Sequence, residues 1–238
     1  MEPDGDFVIT WASERNSSSG YAIIAAQRFD ATGQDLRLTW RGQPHQVRLT
    51  LIGGFQAENV TLAAGLAIAS GEPAGDVIAA LPHLVGVRGR MQLAATRRNG
   101  ASVFVDYAHT PDGLRAAIAA LRPHTNGKLI TVFGAGGDRD TGKRPEMGAV
   151  AVADSDIVIV TDDNPRSEDP SLIRADIMAG APGAHEIGDR RYAIAFAIEH
   201  AEPDDIVLIA GKGHEQGQII MGRVLPFDDV EVARECAA

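Results

Sequence analysis

Ile206-Val207-Leu208-Ile209-Ala210-Gly211-Lys212-Gly213-His214-Glu215 is five β-prone apolar residues followed at once by a polar loop with two glycines. A run this short and this uniformly apolar suits a strand buried on both faces, as in a parallel sheet. The same break occurs three more times upstream. Ser102–Val105 runs into Asp106-Tyr107-Ala108-His109-Thr110-Pro111-Asp112, and Leu129–Phe133 runs into the glycine-rich stretch from Gly134 to Pro145. Ile157–Thr161 runs into Asp162-Asp163-Asn164-Pro165-Arg166. Helical stretches separate the four runs. The alternation from residue 91 onward therefore predicts an α/β fold with a Rossmann-like, mostly parallel sheet. Ligands of such sheets bind in the crevice outside the carboxyl ends of the strands. The four loops are expected to converge there, although they lie far apart in the chain.

Working outward, three helices are expected to open on a proline: Pro111 after Thr110, Pro145 after Arg144, and Pro170 after Asp169. Proline suits the first helical position, where a missing N–H needs no partner, and Thr and Asp are good caps. Arg190–His200 reads as the last helix of the sheet region. Gln218–Met221 and Arg223–Leu225 read as a hairpin around Gly222, and Asp229–Cys236 as a closing helix. Toward the amino terminus, Phe7–Trp11, Tyr21–Arg28, Asp35–Trp40 and His45–Leu51 are β-prone. The polar run Asn16–Gly20 and the turns Asp30–Gly33 and Arg41–Pro44 separate them. Gly53-Gly54 breaks the chain before a helix over Gln56–Ser70, with a second predicted from Pro73 to Leu84. The character changes around Val85–Arg90. The expected domains are residues 1–87 and 88–238.

Bulk properties narrow the function. The 238 residues are 45% hydrophobic but only 5% aromatic, so the core must be built from Ala, Val, Ile and Leu. A net charge of −10 argues against nonspecific nucleic-acid binding, and any anionic ligand must be held by local basic residues. No apolar stretch approaches the roughly 20 residues of a membrane span, so no membrane insertion is expected. The acidic start Met1-Glu2-Pro3-Asp4 resembles no secretory signal. The single cysteine, Cys236, excludes an internal disulfide and a zinc site built on several cysteines. A cytoplasmic location is expected.

The loops carry the chemistry. Gly137 to Lys143 nearly spells a P-loop, but Arg144 stands where Ser or Thr would hold Mg²⁺, and Asp138 and Asp140 would repel phosphate. The loop reads better as a glycine-shaped frame presenting Arg139, whose guanidinium suits a carboxylate. Asp162–Arg166 could be a plain turn, since Asn and Pro favour one. Asp163 and Arg166 together also match the ammonium and carboxylate of an amino acid. In Gly211–Glu215 the glycine permits close approach of a ligand and Glu215 could accept from an ammonium, against the bland alternative of a solvated turn. His109 and His214 lack metal-pair spacing, so no metal site is expected.

These motifs, in this order, resemble the carboxy-terminal part of the Mur ligase family, and most of all its diaminopimelate-adding, MurE-type members. The resemblance runs from about Gly53 onward. Its anchors are Gly54-Phe55 with Asn59, Gly89-Arg90-Met91, Asp106–Asp112, Gly136–Asp140, Asp162–Arg166 and Gly211–Glu215. It implies a C-terminal amino-acid-binding domain preceded by part of a central ATP-binding domain. The implied reaction is ATP-driven amide ligation in peptidoglycan synthesis, through an acyl phosphate on the D-glutamate of UDP-MurNAc-L-Ala-D-Glu. Its partners are ATP, that UDP-linked dipeptide and meso-diaminopimelate. By resemblance, Arg139, Asp163, Asn164, Pro165, Arg166, Gly211 and Glu215 hold the amino acid. Asn59, Arg90, Asp106 and His109 lie on the nucleotide side. The arginine of Asp163-Asn164-Pro165-Arg166 is associated with diaminopimelate, whose second carboxylate lysine lacks.

The sequence departs from the family at Gln56, where Asn is usual, and at Gln92, where Glu is usual. It also holds no Walker-type Gly-Lys-Thr segment and none of the family's Mg²⁺ ligands, so no catalytic residue is assigned. The chain is therefore expected to be part of a longer ligase, inactive by itself and prone to self-associate through unpaired strand edges. The alternatives are a lysine-adding or other ligase of the superfamily, such as a folylpolyglutamate or cyanophycin synthetase, and a non-catalytic ligand-binding module.

Overall fold

The structure is a computed structural model that describes residues 7–12 and 19–238, with side chains from Gln27 onward. The polar run at Asn16 lies largely outside the described residues. The chain divides into two units, at Gly86 and Val87, one residue before the expected boundary.

In the first unit, strands β1 (Phe7–Ala12), β2 (Ser19–Asp30), β3 (Gly33–Trp40) and β4 (Gln43–Leu49) form an antiparallel sheet in chain order. Alternation along β3 sends Leu36 and Leu38 inward while Asp35 and Arg37 stay exposed. Helix α1 (Gly54–Ala69) starts two residues earlier than expected, directly after Gly53 at φ 95°. Its Ala57, Val60 and Ala64 pack on Leu36, Leu38, Val47 and Leu49. The second predicted helix is shorter than the expectation: α2 (Ala74–Ala80) gives way to a 3₁₀ turn at Leu81–His83. Pro82 at the start of that turn cannot donate to an α-helical ladder.

The second unit contains β5 (Gln92–Thr96), β6 (Ser102–Asp106), α3 (Pro111–Leu121), β7 (Leu129–Phe133), α4 (Lys143–Asp154) and β8 (Ile157–Val160). They are followed by α5 (Pro170–Met178), β9 (His185–Glu186), α6 (Arg190–His200) and β10 (Ile206–Ala210). A hairpin of β11 (Gly217–Ile220) and β12 (Arg223–Pro226) leads to α7 (Asp229–Ala237). The sheet order is β5-β6-β10-β7-β8-β9. Strand β10 is parallel to both β6 and β7, and β7 is parallel to β8, so the four apolar runs all end on one edge. Two members went unpredicted: β5, an antiparallel edge strand, and the two-residue β9.

One face of the sheet, from Val103, Val105, Ile130, Val132, Val207 and Ile209, packs on Ala193, Ile194, Ala197 and Ile198 of α6 and Val230 of α7. The chain steps outward from β6 to β9 and then returns to the middle at β10. That reversal carries α6 to the face opposite α3, α4 and α5, as right-handed crossovers require. Thr110 and Asp169 cap α3 and α5 as expected, accepting from Gly113 N and Ser171 N. Pro145 is a correction. Helix α4 begins two residues before it, at Lys143, with Gly142 as cap. A proline fits anywhere in a first turn, because those N–H groups have no helical partner. No helix of the described residues is long and apolar enough to cross a membrane.

Candidate functional site

The site lies in the second unit, where the loops after β6, β7, β8 and β10 meet. Strand order alone brings them together. Positions 163 and 211 are far apart in the chain, yet a Cβ on Gly211 would lie 2.5 Å from Asp163 Oδ2. Gly211 has φ +115°, a conformation that L side chains rarely adopt, so both its backbone and its space demand glycine.

The loop after β8 is the centre. Asp163 is 7% exposed and its carboxylate accepts no hydrogen bond from the described residues. The carboxylate is therefore free to accept a donor from the crevice. Asn164 is also buried, and both the oxygen and the nitrogen of its amide are engaged. Its Oδ1 accepts from Lys212 Nζ at 3.0 Å and from Ile219 N at 3.0 Å, and its Nδ2 donates to Glu215 Oε2 at 2.8 Å. Asp162 faces away and pairs with Arg174, which also holds Glu186. Burial raises the Asp162 carboxyl above its usual range, with Arg174 opposing the shift.

Arg166 sits at φ 54° and donates from Nη1 to the Gly137 carbonyl at 2.7 Å, bracing the neighbouring loop. Gly137 N in turn donates to the Asn164 carbonyl, and Ser167 Oγ bonds Asp138 at 2.6 Å, so the two loops are clasped along their length. The Ser167 bonds hold the Asp138 carboxyl below its ordinary range. Arg139 stands exposed beside this clasp and forms no ion pair among the described residues. Pro165 is buried and packs its carbonyl against Gly137. The β11 strand supports the whole loop from outside. Gln218 Nε2 donates to the Asp163 carbonyl at 2.7 Å, and Arg166 exchanges backbone hydrogen bonds with Ile219 and Met221.

On the β6 side, both oxygens of Asp106 accept backbone N–H groups, from Met91 at 2.7 Å and Ala108 at 2.8 Å. Asp106 thereby ties the Gly89-Arg90-Met91 turn to the strand end. Arg90 lies over the Tyr107 ring, 4.6 Å from its centroid, and the His109 ring meets Tyr107 edge-on at 4.7 Å. Lys143 Nζ donates to the His109 carbonyl at 2.9 Å, joining the loops after β6 and β7. Burial lowers the Lys143 ammonium from its ordinary value, with Asp163 opposing. Asn59 is exposed on α1 of the first unit.

Several residues of the site were not anticipated. Lys212 is wholly buried inside the loop that the sequence offers as either a ligand-facing loop or a solvated turn. Arg190 and Asp229, also wholly buried, form a bidentate pair behind the strand ends. Arg144 is buried and gripped by Glu168 and Asp176. A polar residue between glycines, as at Lys212, hints at an inward role. Nothing local announces the other three, since their partners lie 24 to 39 positions away. Among the described residues no group of three or more His, Cys, Asp or Glu is placed to hold a metal ion.

The profile of the Mur ligase, glutamate ligase domain, matches residues 89–213. UDP-N-acetylmuramoyl-L-alanyl-D-glutamate–2,6-diaminopimelate ligase of Zymomonas mobilis subsp. mobilis is 60% identical over 210 residues, covering 87% of this chain and 43% of the relative. The same enzyme of Caulobacter vibrioides is 59% identical, covering 83% of this chain and 41% of the relative. The chain thus spans less than half the length of these relatives. A solved structure of a ligase of that name superposes with a TM-score of 0.73 at 42% identity, over 90% of this chain and 44% of the other. A UDP-N-acetylmuramate-alanine ligase of Thermotoga maritima, at 16% identity and a TM-score of 0.61 over 90% of this chain and 44% of that one, shares the fold.

Proposed function

The chain belongs to the Mur ligase family, and from that membership we propose that it carries the amino-acid-binding part of an ATP-dependent ligase adding meso-diaminopimelate to UDP-MurNAc-L-Ala-D-Glu in cytoplasmic peptidoglycan synthesis. In that reaction ATP phosphorylates the D-glutamate side-chain carboxylate. The amine of diaminopimelate attacks the acyl phosphate, and the tetrahedral intermediate expels phosphate as the amine gives up a proton.

What carries the amino-acid assignment is the pattern of charges left without partners. Arg174, Arg144, Arg190 and Lys212 all have carboxylates of the protein beside them. Asp163, Arg139 and Arg166 belong to no ion pair of the described residues. One carboxylate and two guanidinia complement one ammonium and two carboxylates. Diaminopimelate presents that set once its reacting amine is uncharged, whereas lysine lacks the second carboxylate. In the same reading Arg90 meets phosphate, Asp106 the ribose or adenine, and Asn59 and His109 belong to the nucleotide side. Mg²⁺, which such a ligase uses with ATP, finds no cluster of ligands among the described residues.

The 238 residues contain no Gly-x-x-x-x-Gly-Lys-Ser/Thr segment, so this chain alone is proposed to bind amino acid without ligating it. Calorimetric titration with meso-diaminopimelate, beside L-lysine, tests the assignment. Saturable binding of diaminopimelate alone supports it, and equal binding of both ends it. ATP- and diaminopimelate-dependent phosphate release from the purified chain would refute the claim of inactivity.

A further inference from the structure

We infer that Lys212 is a positioning residue of this pocket, a buried ammonium that aims Asn164 and Glu215 and never touches the ligand. The inference rests on the proposed amino-acid reading of the site for its consequence, and on four observations for its substance. Lys212 is 0% exposed, so its Nζ has no path to a ligand in the crevice. A buried ammonium is costly unless it is paired and hydrogen-bonded, which gives its two contacts weight. Those contacts are Asn164 Oδ1 at 3.0 Å and Glu215 Oε2 at 3.3 Å.

The third observation is that Asn164 Oδ1 receives two donors, Lys212 Nζ and Ile219 N, each at 3.0 Å. An acceptor with two lone pairs is then full, and the amide cannot flip without setting its own N–H₂ against an ammonium. Its Nδ2 must therefore point at Glu215 Oε2, where it lies at 2.8 Å. The fourth is that both internal donors land on one oxygen of Glu215. Oε2 is engaged by Asn164 and Lys212, while Oε1 has no partner among the described residues. Lys212 thus fixes the carboxylate with one oxygen turned inward and the other offered to the crevice. It also balances the charge of Glu215, leaving Asp163 as the carboxylate with its negative charge unspent. Preorganisation of this kind acts through affinity, because the ligand need not order the side chains itself.

The test compares the wild-type chain with Lys212→Met, a near-isosteric change that removes only the ammonium. Hydrogen exchange of the Asn164 side-chain amide, read by ¹⁵N NMR without ligand, should be protected in the wild type. It should be about tenfold faster or more in the variant, as local opening becomes easier. Diaminopimelate affinity, measured well below each protein's melting midpoint, should fall about tenfold or more with loss of the ordered partner. A merely structural lysine would lower the melting temperature without changing that amide or that affinity. Unchanged exchange together with unchanged affinity in a folded variant overturns the inference. If the variant does not fold, the Lys212 ammonium protons of the wild type decide: slow exchange supports the role, and exchange at the solvent rate overturns it. A wild-type chain that takes up no diaminopimelate ends the amino-acid reading instead, and the exchange results still settle whether Lys212 holds Asn164.

Discussion

Arg190 closes on Asp229 through two hydrogen bonds of 2.8 Å, with neither side chain exposed to solvent. Burial by itself would lower the guanidinium's affinity for its proton, yet the carboxylate beside it more than offsets this, so Arg190 keeps its proton. The same guanidinium donates to the carbonyls of Ala210 at 3.0 Å and Asp162 at 3.3 Å. One buried ion pair therefore joins α6 and α7 to the ends of the two strands that carry the central loops. Asp229→Ala leaves the guanidinium uncompensated and should cost about 3–5 kcal/mol in urea unfolding. The double variant with Arg190→Met should cost less than the sum of the single changes. Strict additivity would mean that the pair does not act as a unit.

Replacing Asp163 by Asn removes the unpaired carboxylate at the centre of the crevice while keeping its shape. The loss of a hydrogen bond to a charged group is worth about 1.5–3 kcal/mol, so diaminopimelate should bind roughly ten- to a hundredfold more weakly. Unchanged affinity in the calorimeter would place the ligand's ammonium elsewhere.

Arg166→Ala should narrow the gap between diaminopimelate and lysine, with diaminopimelate losing most. It also frees the Gly137 carbonyl, so the β7 loop should show faster amide exchange. Full retention of the discrimination would remove Arg166 from its assigned part.

A methyl group at Gly211 meets Asp163 Oδ2 at 2.5 Å, at a φ of +115° that alanine rarely adopts. Gly211→Ala should destabilise the second unit by about 1–3 kcal/mol through backbone strain. Ligand binding should be lost with the displacement of Asp163. A chemical-denaturation curve superimposable on the wild type's would contradict this account.

In the first unit, the hydrogen bond from Arg48 holds the Asp30 carboxyl well below its usual range, against the small cost of burial. A folded pKa depressed below the unfolded value gives stability that is present above the unfolded value and is lost as pH falls through the folded one. Wild type and Asp30→Asn should therefore differ in stability above about pH 4, and the difference should shrink as the medium is acidified further. Tryptophan fluorescence reports this, since Trp11 and Trp40 both lie in the first unit. The Arg48 and Asp30 side chains are a third to a half exposed, so added salt should diminish the difference too.

The parallel sheet, the four polar loops at its strand ends and the residues at their tips could be read from the chain alone. Short apolar runs, glycine-bearing turns and capped helices are local signals, and Ile206–Ala210 followed by Gly211 is legible without its neighbours. What each charged residue faces was not legible. Arg166 grips the Gly137 carbonyl, Asp162 turns to Arg174, and both oxygens of Asp106 serve backbone N–H groups. Lys212 disappears into the interior between Asn164 and Glu215, and Arg190 finds Asp229 across 39 positions. Periodicity and turn chemistry act over a few residues. Charge pairing acts through space, and the insertion of β10 between β6 and β7 is what brings the loops of this pocket within reach of one another. The sequence determined which chemical groups stand at the strand ends, and only the tertiary structure decided which of them remain free for a ligand.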